Sequence, residues 1–494
     1  MTVRFNSVYF SYPSSVEPVL RELNLEFHEG WTGITGDNGA GKSTFLMLAA
    51  GILEAQAGTI EGAGGIYCPQ RTDELPEFWE DFFRDSGNEG ARLMSRLGIG
   101  ADWPYRWESL SHGERKRLQL GLALWRQPPL LAIDEPTNHL DREARAFVTS
   151  ALESYTGAGL LVSHDRALLD GLCTRCLFIR QGRALLRPGG ISQGLAEEER
   201  EAKEKSRLRK ELGRERDRLA SEAEARRRTV EGSKNRLSKK NIDAKDNDAR
   251  GKINLARLSG RDRTASDQYK RMENRLSRID QGLSAVDAPS RRKEGITLPA
   301  AQARMDRILS LPAGSIPLGG EGRALSFPDL LIRPGERIAL TGPNGAGKSS
   351  LIRYMVERIP ENVGILYIPQ EISAVEGRAA LDEIRQDTEK NRGEILARYS
   401  RLGSDPGLIL QSRLPSPGET RKLLIARGVF SNPALIIMDE PTNHLDLTSI
   451  RLLEETLAQV PCALLLVSHD EVFLAALTKR RWDIDRRGLM TVRC

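Results

Sequence analysis

The chain has 494 residues, with 73 Lys and Arg against 68 Asp and Glu, for a formal net charge of +5. At roughly 100–200 residues per domain it holds several domains, each long enough to bury its own core. Its 39% hydrophobic and 29% charged residues exclude a fibrous or wholly disordered protein. No run approaches the roughly 20 apolar residues needed to cross a bilayer. The opening MTVRFNSVYF has no basic segment followed by an apolar stretch, so no secretory leader is expected. Five scattered cysteines make no disulfide framework, which points to a reducing compartment. Cys173 and Cys176 form a lone CxxC, which without a second pair or a neighbouring His reads as incidental rather than zinc-binding.

In chain order, the first informative element is a short strand, Trp31–Thr35, entering Gly36-Asp-Asn-Gly-Ala-Gly-Lys-Ser43, with a helical run from Lys42. Such a glycine-rich turn lets backbone N–H groups approach phosphates, and the helix N-terminus adds a favourable dipole. Lys42 is placed to reach β- and γ-phosphates, and Ser43 to offer its hydroxyl to Mg²⁺. Leu110-Ser-His-Gly-Glu-Arg115 then opens a basic helix, a second anion-binding end. Leu130–Ile133 is a continuous apolar run, as in a buried parallel strand, and ends in Asp134-Glu135. A carboxylate pair there can hold a cation (Asp134) and orient an attacking water (Glu135). A further strand, Gly159–Ser163, leads to His164, 29 residues after Glu135.

The middle of the chain differs in composition. Residues 203–280 hold 25 basic and 14 acidic residues, a net of +11, so the remainder carries 48 against 54, a net of −6. A long helix is expected over 196–232, with a thin seam of Leu208, Leu212 and Leu219, and a second helix carries Met272, Leu276, Ile279 and Leu283. Together they predict an antiparallel hairpin. Its turn region, 226–263, holds 13 basic against 5 acidic residues. The candidate polyanion contacts there are Arg226, Arg227, Arg228, Lys234, Arg236, Lys239, Lys240, Lys245, Arg250, Lys252 and Arg257. Aromatic residues are nearly absent, which favours phosphate-backbone contact with structured RNA over base stacking.

After the hairpin, three segments of the first half recur in the same order. Gly342-Pro-Asn-Gly-Ala-Gly-Lys-Ser349, Asp439-Glu-Pro-Thr-Asn-His-Leu-Asp446 and Leu466-Val-Ser-His-Asp470 repeat first-half segments at offsets of 305 or 306 residues. Two glycine-rich matches, each followed by the same motifs, are not chance. The period marks a duplicated domain rather than a solenoid unit. Strands alternating with helices give each copy an α/β fold on a largely parallel sheet. The copies are placed at 1–195 and 305–494, with the hairpin linker at 196–304.

This set of motifs resembles the ATP-binding cassette: Walker A, Q-loop, signature, Walker B, D-loop (Asp141 and Asp446) and switch histidine. Two cassettes reading Asp-Glu-Pro-Thr-Asn-His-Leu-Asp resemble the ABC-F family of translation factors and antibiotic-resistance proteins, over nearly the whole chain. The resemblance implies two P-loop NTPase cassettes joined by an α-helical hairpin, closing head to tail around two ATPs. Each Walker A then shares its nucleotide with the other copy's signature. The ATP-binding residues it implies are Tyr12, Gly36, Asn38, Gly39, Gly41, Lys42, Ser43, Thr44, Ser111, Gly113 and Glu114, and in the second copy Gly342, Asn344, Gly345, Gly347, Lys348, Ser349, Ser350, Ser416, Gly418 and Glu419. Mg²⁺ falls to Ser43, Gln70 and Asp134, and to Ser349, Gln370 and Asp439. Catalysis falls to Glu135, His164, Glu440 and His469. The linker resembles the P-site-tRNA-interaction motif, which implies a ribosomal partner (rRNA and P-site tRNA), a cytoplasmic monomer and no membrane.

Two departures from the pattern predict unequal ATP sites. The second signature reads Pro415-Ser-Pro-Gly-Glu419, and the stretch Ile316–Gly320 lacks an aromatic counterpart to Tyr12. The interval Gln70–Ser111 is 41 residues against 46 for Gln370–Ser416, so no extra arm is expected in the first copy. The 24 residues after Asp470 leave no room for a sizeable C-terminal domain. The alternatives are the motor subunit of a membrane transporter, which gives no reason for a basic hairpin, and a DNA-repair ATPase, whose zinc-cysteine modules or very long coiled coils are missing.

Overall fold

The computed structural model describes the chain except residues 1, 14–16, 86, 139, 237–260, 286–305, 320–322, 413 and 494, and the side chains of 229–236, 261–269 and 285. The chain divides into two compact units. Met1–Gly194 and Lys293–Cys494 form one, and Leu195–Arg292 the other.

In the first unit the N-terminal cassette contains β1 (Val3–Phe10), β2 (Leu20–Phe27), β3 (Gly30–Gly36), β4 (Ala57–Glu61), β5 (Ile66–Cys68), β6 (Leu130–Asp134), β7 (Ala158–Val162), β8 (Arg175–Arg180) and β9 (Arg183–Pro188). Its main sheet has the order β5-β6-β7-β3-β8-β9, parallel up to an antiparallel β9 edge. Every residue of β6 and β7 is buried, which explains their unbroken apolar sequences. In a small antiparallel sheet, β2-β1-β4, strands β1 and β2 alternate buried and more exposed residues, and Phe5 stacks on Phe45. The helix Lys42–Ala49 packs between, burying Phe45, Leu46 and Leu48.

The C-terminal cassette repeats this plan with β10 (Leu309–Leu311), β11 (Gly314–Pro317), β12 (Ala324–Phe327), β13 (Leu330–Ile332), β14 (Arg337–Thr341), β15 (Ile365–Ile368), β16 (Leu435–Asp439), β17 (Ala463–Val467), β18 (Arg480–Ile484) and β19 (Met490–Arg493). The main-sheet order β15-β16-β17-β14-β18-β19 is the same. The small sheet is here two separate hairpin-sized pairs, β10-β13 and β11-β12. The strand expected at 159–163 begins and ends one residue earlier, because its register with β6 is set from Ala158, and β17 pairs with β16 from Ala463 in the same way.

The second unit takes all but the first four residues of a helix that runs from Ile191 to Arg236, 46 residues and about 69 Å at 1.5 Å per residue. A second helix runs from Arg261 to Ala285. Leu219, Ala223, Met272 and Ile279 are buried between them, flanked by Leu212, Leu276 and Leu283. Leu212 lies against Gly282 and Glu215 pairs with Arg275, so the two helices run antiparallel. One expectation fails: Leu208 is 47% exposed and outside the seam. The stripe instead continues from Leu219 to Ala223, which is buried with Met272 and Ile279. Arg226, Arg227 and Arg228 are exposed on the first helix, which also includes Lys234 and Arg236. Lys239, Lys240, Lys245, Arg250, Lys252 and Arg257 lie outside the described residues.

Candidate functional site

Each glycine-rich loop leaves a strand (β3 or β14) and turns into a helix with no side-chain cap at its N-terminus. Gly41 and Gly347 both have φ of 94°, in the left-handed region. A Cβ at Gly41 would lie 2.7 Å from Val19 Cγ1, and one at Gly347 2.7 Å from Leu318 Cδ2. Both the conformation and the packing therefore require glycine, and the helix N–H groups stay open to an anion.

The charged groups converge on these loops. Lys42 Nζ donates to the carbonyls of Gly36 and Asp37, at 2.8 and 3.0 Å, and Lys348 Nζ to those of Gly342 and Pro343 at the same distances. Burial pushes both ammonium groups below their ordinary pKa. Ser43 Oγ donates to Asp134 Oδ2, and Ser349 Oγ to Asp439 Oδ2, each at 2.6 Å. Glu135 and Glu440 hold left-handed backbone angles, φ 48° and 49°, unusual for a residue with a Cβ. His164 Nε2 lies 3.3 Å from Glu135 Oε1, and His469 Nε2 lies 3.5 Å from Glu440 Oε1. Burial lifts Glu440 to about 7 and holds both histidines down near 3, so the imidazoles are neutral. Burial and neighbouring Asp134 raise Glu135 as well.

The donor sets fit a magnesium nucleotide. Glu135 Oε1 and Glu440 Oε1 are buried polar atoms without a hydrogen-bond partner, each beside a serine–aspartate pair. Among the described residues no group of three or more His, Cys, Asp or Glu could hold a metal alone. A serine hydroxyl beside a single aspartate at each site suits a cation shared with phosphates. Buried Cys176 has its thiol pushed up to about 12, far from thiolate chemistry.

The two cassettes face each other head to tail within their unit. A cavity of about 1440 Å³ is lined by Ser111, Gly113 and Glu114 of the first signature together with Lys348, Ser349 and Glu440 of the second copy. Asn344, Gly345, Gly347, Ser350, Gln370, Asp439 and His469 line it too. At the other loop, Asn38 Nδ2 donates to the His444 carbonyl at 3.0 Å, and a Cβ on Gly418 would lie 3.6 Å from that amide. The D-loops act reciprocally. Asp446 Oδ2 accepts from the Asn38 N–H at 3.3 Å, and Asp141 Oδ2 from the Asn344 N–H at 3.4 Å.

Glu114 and Glu419 have a different immediate task from direct nucleotide contact. Each closes a capping box with Ser111 or Ser416, taking the serine N–H at 2.8 Å and its hydroxyl at 2.7 Å. Pro417 sits in the first turn, where a missing N–H costs nothing, so both signature helices start alike. Tyr12 packs edge-on to Phe10 and its hydroxyl meets Thr44 Oγ1 at 3.1 Å. Among the described residues the second cassette contributes Leu318 to the cavity and no Phe, Tyr or Trp. Gln70 and Gln370 are exposed at the cavity wall.

The sequence reading did not single out Lys116 and Arg421, only 4% and 2% exposed. Lys116 Nζ spans the carbonyls of Pro69 and Asp134, and Arg421 those of Gln370, Glu440 and Asn443. Each ties a Q-loop backbone to the end of a catalytic strand. The signal was a basic residue five positions after each signature serine.

A family model described as ABC transporter matches residues 20–138 and 326–443. The tylosin resistance ATP-binding protein TlrC of Streptomyces fradiae is 29% identical, over 96% of this chain and 95% of its own. The ribosome protection protein VmlR of Bacillus subtilis is 27% identical over 97% and 86%. The energy-dependent translational throttle protein EttA of Escherichia coli K12 is 26% identical over 95% and 90%. Among solved structures, the archaeal ribosome recycling factor aABCE1, in complex with the stalk protein aP1, superposes with a TM-score of 0.62. It is 18% identical and the match covers 98% of this chain and 89% of that one, a likeness of fold. Fold and motifs together define a tandem ATP-binding cassette ATPase. Within that class the chain is similar, over nearly its whole length, to the ABC-F proteins TlrC, VmlR and EttA. Among the described residues no helix is long and apolar enough to cross a membrane.

Proposed function

We propose that this ATPase binds the ribosome when ATP closes its two cassettes, and that closure directs the basic linker toward P-site tRNA and the peptidyl-transferase region. Hydrolysis then permits release. The nucleotide is held by Lys42 and Ser43 with the signature Ser416 and Gly418, and by Lys348 and Ser349 with Ser111 and Gly113. Bound Mg²⁺ supplies charge neutralisation of the phosphates at Ser43 and Asp134, and at Ser349 and Asp439. Glu135 and Glu440 orient the attacking water, and their neutral histidines hold the carboxylates in place. The chain acts in the cytoplasm as a monomer, with its own two cassettes as the pair.

The observation that carries this reading is the charge distribution. Residues 203–280 of the linker carry +11, with +8 concentrated in 226–263, and the rest of the chain totals −6. A transporter motor has no use for such a segment, whereas phosphate-rich RNA does. Relatives whose names specify tylosin resistance and ribosome protection favour a protective role against ribosome-targeting antibiotics.

The test is neutralisation of Arg226–Arg228 with Lys239 and Lys240 to Gln. Losing five cations should weaken ribosome binding by about 10²-fold or more at moderate salt and flatten the salt dependence of log K by roughly three to five units of slope. Filter binding across a salt series reads both. Unchanged affinity and slope would reduce the linker to a spacer.

A further inference from the structure

The reciprocal D-loop contacts make the two sites look equivalent, but the arginine that the first copy sets on the second copy's switch loop has an isoleucine, Ile450, at its duplicated position. Arg145 lies on the helix Arg142–Leu152, four residues past Asp141. Its Nη1 donates to the carbonyl of His469, in the other cassette, at 3.0 Å and to Asp165 Oδ2, in its own, at 3.3 Å. Its Nε donates to the Leu140 carbonyl at 3.1 Å, which fixes the guanidinium plane. Next to Asp165, Arg166 pairs with Glu454 and lies 3.6 Å from Asp470 Oδ2, both in the second cassette. Two arginines of the first copy therefore grip consecutive residues, His469 and Asp470, of the second copy's switch loop.

The duplication shows what is missing in the other direction. The position 305 residues after Arg145 is Ile450, a buried apolar side chain, and that after Arg166 is Glu471. Neither can donate to the His164 carbonyl or pair with Asp165. Glu471 instead pairs with Arg481 and approaches Arg142.

The grip is placed to matter for chemistry. The His469 backbone N–H donates to Glu440 Oε2 at 3.4 Å, and its ring lies against Glu440 Oε1. Holding the His469 carbonyl from outside limits how this residue, and through it Glu440, moves. Asp165, the other end of the clamp, follows His164, whose ring faces Glu135.

We propose that Arg145 is a positioning residue of one site, through which the first cassette's switch loop sets the geometry of His469 and Glu440 at the Lys348 site, while the duplicated position for the Lys42 site holds the apolar Ile450. The proposal rests on Glu135 and Glu440 serving separate sites, and the experiment is built on that. In a Glu135→Gln background only the Glu440 site turns over; in a Glu440→Gln background only the Glu135 site does. Arg145→Ala should lower kcat about 10-fold in the first background, with KM for ATP changed less than about 2-fold, and change kcat less than about 2-fold in the second. Arg145→Lys, which keeps a donor, should recover part of the loss in the first background. Equal losses in both backgrounds would make Arg145 an interface packing residue and overturn the proposal, as would undiminished kcat in the first. A Glu135→Gln, Glu440→Gln protein hydrolysing at the wild-type rate would remove the site assignment itself, and the proposal with it.

Discussion

Replacing Glu135 and Glu440 together with Gln should lower ATP turnover by at least about 100-fold, as loss of a positioned base or water-orienting carboxylate does. The substitution is nearly isosteric, so the catalytic strands β6 and β16 and the cassette pairing should survive. What is lost is a buried oxygen that takes no hydrogen bond within the protein and stands beside a neutral imidazole. The left-handed backbone at both positions is a cost the fold carries to present that oxygen. Initial-rate phosphate release measures the effect, and residual turnover within 10-fold of wild type would contradict it. The single variants should differ from one another. One site combines Tyr12 with the proline-containing signature, while the other has Leu318 and the regular signature with the Arg145 clamp. Indistinguishable single-variant rates would show that these differences are silent.

Replacing Lys42 or Lys348 with Ala should cost about 10²–10³-fold in affinity for ATP at the site concerned, or about 3–4 kcal/mol. Each ammonium is mostly buried and at present satisfied by two loop carbonyls. Burial disfavours its charge, so a phosphate arriving within reach gains a poorly hydrated cation and restores the partner that burial removed. Alanine leaves those carbonyls facing the anion instead. A fluorescent ATP analogue titrated against each variant gives the affinity. The double variant should bind none in the range where wild type saturates; saturable binding of both equivalents would contradict the assigned role.

Contiguous motifs were legible in the sequence because their chemistry is local. A glycine-rich turn after an apolar strand, or Asp-Glu ending one, carries its function in adjacent residues, and duplication repeats the signal. The largely parallel sheet followed from the same runs, with the strand expected at 159–163 displaced by one residue, whereas the strand order did not. Contacts between distant residues were not legible. Arg145 and His469 lie 324 positions apart, and only the folded pairing of the cassettes brings them together. Comparing the copies shows Arg145 opposite Ile450 but cannot say what the arginine touches. Lys116 and Arg421 were visible as basic residues, yet a basic helix usually faces solvent, and only burial reveals them as anchors. Leu208 misled because a leucine at i−4 looks like seam, while the helix pair closes instead on the small Ala223.

The central claim is that ATP-closed cassettes bind the ribosome. The Glu135→Gln, Glu440→Gln protein, which should hold ATP without hydrolysing it, tests this most directly by co-sedimentation with ribosomes through a sucrose cushion. Stoichiometric recovery in the ribosomal pellet with ATP, and loss of it with ADP or no nucleotide, is the predicted result. A protein that stays in the supernatant with ATP bound would contradict the account.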